Sequence, residues 1–317
     1  MHSMKRRRVE KVHCTQHDLR SIADDVLLRI FQLALHWSRF FFHYRRVCKK
    51  WYRCSLLRQA TRFWGFHHRF LDDGVCFGLS RICSGIRSIT SYSWGKITET
   101  GVRALASLSN LSKFEIYGHG YSYPSVTSDS LQALSVLEQL EILSLSSFSL
   151  AQDQALNLDF VAGLRSLREL HLGHLRISDA SLACLEGKNH LRVLRISFCS
   201  GNITTHGLRV LRSLTELREF HISDIDFSDV DSVAVVRMLV GLRSLRKVML
   251  GQLRVNDTSV QALSAALPEM TELHLESENA GNDAARFNFV ATFALPCLDY
   301  LSVSLHFCPP PRCTVSR

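Results

Sequence analysis

The sequence predicts an α/β solenoid in which strands and helices alternate, the strands forming one parallel sheet on a concave face and the helices lining the convex face. Three periodic signals lead there. The first is a six-residue phrase with apolar residues at positions one, four and six, clearest as LRELHL at 167–172 and LRVLRI at 191–196. Its last three positions alternate, as a strand with one buried face must. The phrase begins at Ile86, Leu111, Leu140, Leu167, Leu191, Leu217, Leu245, Met270 and Leu298, about nine copies at intervals of 24 to 29 residues. The second signal follows the strand: Ile97-Thr98, Val126-Thr127, Ile177-Ser178, Ile203-Thr204 and Val255-Asn256 each set a β-branched residue before a good helix N-cap. The third is a lead-in of leucines in steps of three, as in Leu105, Leu108, Leu111 and Leu211, Leu214, Leu217. One such unit cannot bury its own apolar face, so each copy needs neighbours.

Charge divides the chain differently. Residues 1–70 hold 16 Lys and Arg against 4 Asp and Glu, whereas residues 71–317 hold 22 against 25. The net charge of +9 therefore belongs to the N-terminal part. Residues 1–17 read as a basic disordered tail. Its Lys5-Arg6-Arg7-Arg8 and Lys11 have the pattern of a nuclear-import address or a nucleic-acid contact, and equally that of a solvated tail. Without interleaved aromatic residues, a nucleic-acid partner is not expected. The ten cysteines are irregularly spaced, and no N-terminal apolar stretch reads as a signal peptide or membrane span. The expectation is an intracellular protein with reduced thiols, cytoplasmic or nuclear.

Residues 18–64 read as a separate helical module. Ser21 to Asp24 resemble a capping box, and DDVLLRIFQLAL at 24–35 places Val26, Leu27, Ile30, Phe31 and Ala34 on one helical face. RRVCKKWYRC at 45–54 does the same with Val47, Cys48, Trp51 and Tyr52, its other face strongly basic. A short third helix is expected from Leu56. Three short helices cannot hide so many large apolar side chains, so the module should complete its core against a partner. Residues 65–85 are expected to connect the module to the solenoid and cap it. The repeats occupy 86–308, and a tail at 309–317 opens with Pro309-Pro310-Pro311, which prevents another strand.

The repeating region resembles the leucine-rich-repeat family in its longer, ribonuclease-inhibitor-like or cysteine-containing form. That family often places Asn or Cys at the ninth position of the unit. Here only Cys199 fits, beside Phe148, Leu175, Ile225 and Leu253, so the bend is expected to be filled by apolar packing. DDVLLRIF at 24–31 and RRVCKKWYR at 45–53 resemble the F-box, a three-helix all-α module, although Ile22-Ala23 replaces its Leu-Pro start and the stretch between the helices is longer. The resemblance implies docking on a Skp-type adaptor, and through it a cullin, by Ile22, Val26, Leu27, Ile30, Phe31, Val47, Cys48 and Trp51. It implies a substrate-recognition subunit of a ubiquitin ligase, with a protein substrate held on the repeats. The competing expectation is a leucine-rich-repeat scaffold or regulator outside ubiquitination, with a nuclear address in its basic end.

Positions three and five of the phrase point away from the solenoid core. They assign Glu169, His171, Arg195, Glu219, His221, Lys247, Met249 and His274 to a candidate substrate face. His171, His221 and His274 recur in alternate repeats as a potential pH-sensitive column. Glu219, Lys247 and Glu272 are alternatively a screened charge ladder on a solvated strand face. No phosphate-cradling glycine loop, paired C-x-x-C, H-E-x-x-H or partnered nucleophile appears, so neither a cofactor nor a metal nor intrinsic catalysis is expected.

Overall fold

The computed structural model describes residues 65–305 other than 69–70, 83–84, 93–96, 118–125, 147–154, 226–231, 240, 252–262, 264–266, 268 and 278–298. The chain divides into two units, Met1–Trp64 and Gly65–Arg317, and every described residue belongs to the second. The helical module expected at 18–64 therefore lies outside the described residues, as do the tails at 1–17 and 309–317.

The second unit has α/β character and is built on a ten-stranded sheet ordered β1 to β10 along the chain. The strands are β1 (Gly65–His68), β2 (Ser88–Ser91), β3 (Lys113–Ile116), β4 (Ile142–Ser146), β5 (Glu169–Gly173), β6 (Val193–Ser197), β7 (Glu219–Ser223), β8 (Lys247–Leu250), β9 (Glu272–Ser277) and β10 (Tyr300–Leu305). Every adjacent pair is parallel. This arrangement is compatible with a solenoid-like repeat. From β2 onward each strand opens at the third position of a phrase, and the pairing register matches third position to third position, as in Glu169↔Val193 and Val193↔Glu219.

Residues 65–85, expected as a connector and cap, add regular structure at the N-terminal edge of the sheet. They supply β1, which pairs Gly65 with Ser88, and helix α1 (Asp73–Ile82). The phrase does not reveal β1 because Gly65-Phe66-His67-His68 carries no leucine at its sites.

The leucines build the core. The first, fourth and sixth positions of the best-formed copies are buried: Leu191, Leu194 and Ile196 are all 0% exposed. The lead-in series Leu134, Leu137 and Leu140 is equally buried. At the second position a single carbonyl accepts two amides from the next unit. Arg168 O takes Arg192 N at 2.7 Å and Val193 N at 3.0 Å, and Arg192 O takes Arg218 N at 2.8 Å and Glu219 N at 3.0 Å. The ninth-position residues Leu175, Cys199 and Ile225 are buried, so apolar contacts fill this bend, and the Cys199 thiol also donates to Leu172 O at 3.6 Å.

The helical side carries the capping residues. Thr98 caps α2 (Glu99–Ala106), Thr127 caps α3 (Ser128–Leu131) and Ser178 caps α4 (Asp179–Ala183), the last two as reciprocal capping boxes with Ser130 and Ser181. The β-branched partners Ile97, Val126, Ile177 and Ile203 are buried. Gln132–Val136 continues α3 as a 3₁₀ turn, Asp159–Gly163 and Gly207–Ser213 are separate 3₁₀ stretches, and α5 (Ser232–Leu239) follows.

A clasp recurs between units. Asp73 accepts Thr98 N at 2.8 Å and Thr98 Oγ1 at 2.7 Å; Asp179 accepts Thr204 N at 2.8 Å and Thr204 Oγ1 at 2.6 Å. Burial works to raise the Asp73 pKa, but the hydrogen bonds from Thr98 and Thr100 outweigh it and leave the carboxyl below its ordinary value. Three residues beyond each threonine stands a glycine. A Cβ on Gly101 would lie 2.3 Å from Asp73 Oδ1, and one on Gly207 2.2 Å from Asp179 Oδ1. Glycine at these positions leaves room for the carboxylate.

Candidate functional site

Strand alternation sends the fourth and sixth positions into the core and the third and fifth to the opposite face. From β5 to β9 the third- and fifth-position side chains are partly or fully exposed. The register aligns His171, Arg195, His221, Met249 and His274 in one column and Glu169, Val193, Glu219, Lys247 and Glu272 in the next. All eight candidate residues of the repeats therefore share one face across five adjacent strands. The eight candidates for adaptor contact (Ile22, Val26, Leu27, Ile30, Phe31, Val47, Cys48 and Trp51) lie outside the described residues.

The charge ladder expected of Glu219, Lys247 and Glu272 is present, and Arg195 extends it. Arg195 reaches Glu219 at 3.0 Å; Lys247 lies 3.9 Å from Glu219 and 2.8 Å from Glu272. The hydrogen bond to Glu272 holds the Lys247 ammonium above its usual pKa. Solvent screening largely offsets such exposed pairs, so they set local electrostatics more than stability. The two positive and two negative charges leave this stretch of the face with little net field.

The histidine column does not behave as a uniform pH sensor. Burial, then the neighbouring Arg195 guanidinium, push His171 from 6.5 down to about 4. Its Nε2 has no hydrogen bond and lies 3.8 Å from a Glu169 carboxylate oxygen. His171 is thus neutral through the range in which an ordinary histidine titrates, which corrects its place in the expected pH-sensitive column. His221 instead places Nε2 3.0 Å from Ser223 Oγ, and His274 packs against the Tyr300 ring with centroids 5.0 Å apart. Among the described residues there is no group of three or more His, Cys, Asp or Glu side chains placed to hold a metal ion.

The depressed His171 pKa gives a stability prediction. An unfolded histidine takes up its proton near 6.5, the folded one only near 4, so the stabilisation is full above 6.5 and is lost as pH falls towards 4. The term is on the order of 3 kcal/mol across that window. Urea unfolding of wild type and His171→Gln should show a steeper loss of stability in the wild type on acidification. Equal losses would exclude the assignment.

Two features of the face were not among the candidates. At its N-terminal end Thr90, Glu115 and Ser144, all at the fifth position, are buried at 4%, 6% and 2% exposure. The Glu115 carboxylate meets Lys113 at 3.0 Å, the Tyr117 hydroxyl at 3.0 Å and Thr90 Oγ1 at 3.2 Å. Burial and this carboxylate together raise Tyr117 to about 12. The available signal was Lys113 and Tyr117 flanking Glu115 two residues away on the same strand face.

The second feature is a row at the eighth position. His174, Phe198 and Asp224 adopt left-handed backbone, with φ of 52°, 54° and 53°. For a bulky residue such as Phe198 this conformation is uncommon, costing on the order of 1 kcal/mol. The His174 and Phe198 rings stack at 4.8 Å and 5°, and Phe198 is 54% exposed. An aromatic rim therefore borders the candidate face just past β5 and β6.

Taken together, the open face offers a partly exposed row of polar side chains, a compensated ladder and a stacked aromatic edge. That arrangement suits contact with a macromolecule. No helix among the described residues is long and apolar enough to cross a membrane. No protein-family model matches the chain, and no curated protein matches it either.

Proposed function

We propose that this chain is a non-catalytic substrate-recognition subunit of a Skp–cullin–F-box ubiquitin ligase. Its N-terminal module would dock on the Skp-type adaptor, and a leucine-rich-repeat solenoid would hold a protein substrate. The observation that carries the reading is a combination within one chain. Residues 24–53 bear the F-box-like helix pattern, and the following unit is a parallel sheet with partly exposed third and fifth positions from Glu169 to His274. A parallel sheet normally has both faces covered, so an accessible one is a surface for a partner. Catalysis in this reading is proximity: the chain brings a substrate near a ubiquitin-loaded enzyme and transfers nothing itself.

The test is copurification of the full chain with a Skp-type adaptor. Wild type should retain the adaptor, and Phe31→Ala with Trp51→Ala should reduce retention at least about ten-fold, since truncating two aromatic hot-spot side chains of a docking surface typically removes more than about 1.4 kcal/mol. Folding of the variant is checked by comparing the helical circular dichroism and the full urea-unfolding profile of the whole chain with those of wild type. Failure of the wild type to hold the adaptor would leave a repeat scaffold without a ligase role.

A further inference from the structure

The second position of the phrase carries a row of charge that the ladder does not compensate. Along adjacent strands it reads Glu141, Arg168, Arg192, Arg218, Arg246, Thr271 and Asp299. The amide of each arginine from Arg192 to Arg246 bonds the carbonyl of the arginine before it, at 2.7, 2.8 and 2.8 Å, so the four stand one above another. Neighbouring strands are about 4.8 Å apart. Four guanidinium groups at that spacing repel one another, an arrangement that folding does not ask for.

Their neutralisation is incomplete. Arg246 pairs with Glu269. Arg192 has Nε 3.7 Å from Glu216, whose other oxygen is engaged with His190 at 2.9 Å, and that Nε is buried without a hydrogen bond. Arg168 and Arg218 are exposed, and among the described residues neither guanidinium has an ion pair or hydrogen bond, although Arg168 lies near enough to Glu216 to help the His190 hydrogen bond hold that carboxyl below its usual pKa. The two unpaired groups lie two strands apart, roughly 10 Å between their backbones. Arg165 and Arg243 add exposed positive charge just before β5 and β8, the former only 3.9 Å from Glu138.

From this we infer that the arginine rank immediately preceding β5 to β8 binds a short acidic segment of a partner polypeptide. Guanidinium matches carboxylate as a planar fork, with two parallel hydrogen bonds. On an extended peptide every second side chain shares a face at about 7 Å spacing, and the long glutamate and arginine side chains span the difference to the roughly 10 Å between the Arg168 and Arg218 backbones. The rank is also closed at its ends. Glu141 precedes Arg168, Asp299 lies beyond Arg246, and both are exposed. A long polyanion such as a nucleic-acid strand would run into these carboxylates, whereas an acidic run only a few residues long would not. The inference does not draw on adaptor docking and is tested without the adaptor.

Full-length protein is titrated, at low and moderate salt, with a fluorescein-labelled Glu–Gly repeat peptide, its Gln–Gly counterpart and labelled oligothymidine, followed by anisotropy. Wild type should bind the acidic peptide in a salt-dependent manner and the Gln–Gly peptide not at all. Arg168→Gln with Arg218→Gln should weaken the acidic peptide about ten-fold without lowering the melting temperature, because it relieves repulsion. Arg168→Lys with Arg218→Lys should fall between, keeping the charge but losing the fork. Arg81→Gln with Arg103→Gln removes equal charge from α1 and α2 and should bind as wild type. Equal affinity of wild type and the Arg168/Arg218 glutamine variant, or absent binding, overturns the inference. So does oligothymidine binding more tightly than the acidic peptide and being lost in that same variant, which would make the rank a nucleic-acid surface.

Discussion

Gly201→Ala should destabilise the repeat unit by several kcal/mol, on the order of 3 or more, and should be among the most damaging single-methyl additions in the protein. Two independent costs meet at this position. Gly201 has φ +120°, a backbone conformation that residues with a Cβ rarely adopt. Its would-be Cβ would also lie 2.0 Å from the Ile177 carbonyl oxygen and 2.9 Å from the Ile177 carbonyl carbon. The obstacle is backbone, so no side-chain rotation relieves it. That backbone is itself committed: Ile177 N donates to Ser200 O at 2.7 Å, Ser200 N donates to Leu175 O at 2.8 Å, and Arg176 and Ser200 form a parallel bridge. Moving Ile177 away would break the rung joining two successive units beside the Ser178 cap. Gly187→Ala is the matched control. It also has positive φ, at 78°, but a Cβ there meets nothing within 4 Å, so only the conformational cost of about 1 kcal/mol applies. Urea unfolding followed by circular dichroism separates the two. Comparable midpoints for the two variants would show that the close approach at Ile177 does not govern this turn.

This contrast also marks what the sequence makes legible. The leucine phrase is readable because each of its apolar positions has a single job. The strand register follows from the phrase, as does the assignment of Glu169, His171, Arg195 and Glu219 to one face. The first strand is a different matter: Gly65–His68 joins β2 through a parallel backbone ladder, and backbone pairing leaves no mark in side-chain type. His171 looks like any histidine in sequence. Its depressed pKa comes from burial and from Arg195, 24 residues away and brought alongside by the sheet. The aspartate clasps are hidden for the same reason, since Asp179 and Thr204 are distant in sequence and meet only when units stack. The arginine rank was in plain view at the second position, yet its meaning depends on which carboxylates lie near enough to neutralise it. Separation along the chain does not give that distance.

Phe220→Ala should cost about 3–5 kcal/mol, the usual range for emptying a fully buried aromatic site. Phe220 is 1% exposed at the fourth position of β7, in register with Leu194 on β6 and Val248 on β8, which are themselves buried. It is one of only two phenylalanines in the fourth-position row from Phe114 to Leu273, where the others are aliphatic, so its neighbours are shaped around a larger side chain. Collapse onto the void is restricted from both sides, because each adjacent strand is fixed by the two-amide ladder to Arg192 O and Arg218 O. A stack of units is held by nearest-neighbour contacts, so weakening one central unit uncouples the two halves instead of lowering all units equally. The expected signature is therefore a lower urea midpoint together with a smaller m value, as the single transition broadens or splits. Met249→Ala, on the opposite face of the next strand and only partly buried, should shift the midpoint far less and leave the m value unchanged. An unaltered m value in Phe220→Ala with a large midpoint shift would mean that the sheet unfolds as one cooperative block, and that coupling along it is stronger than nearest-neighbour stacking provides.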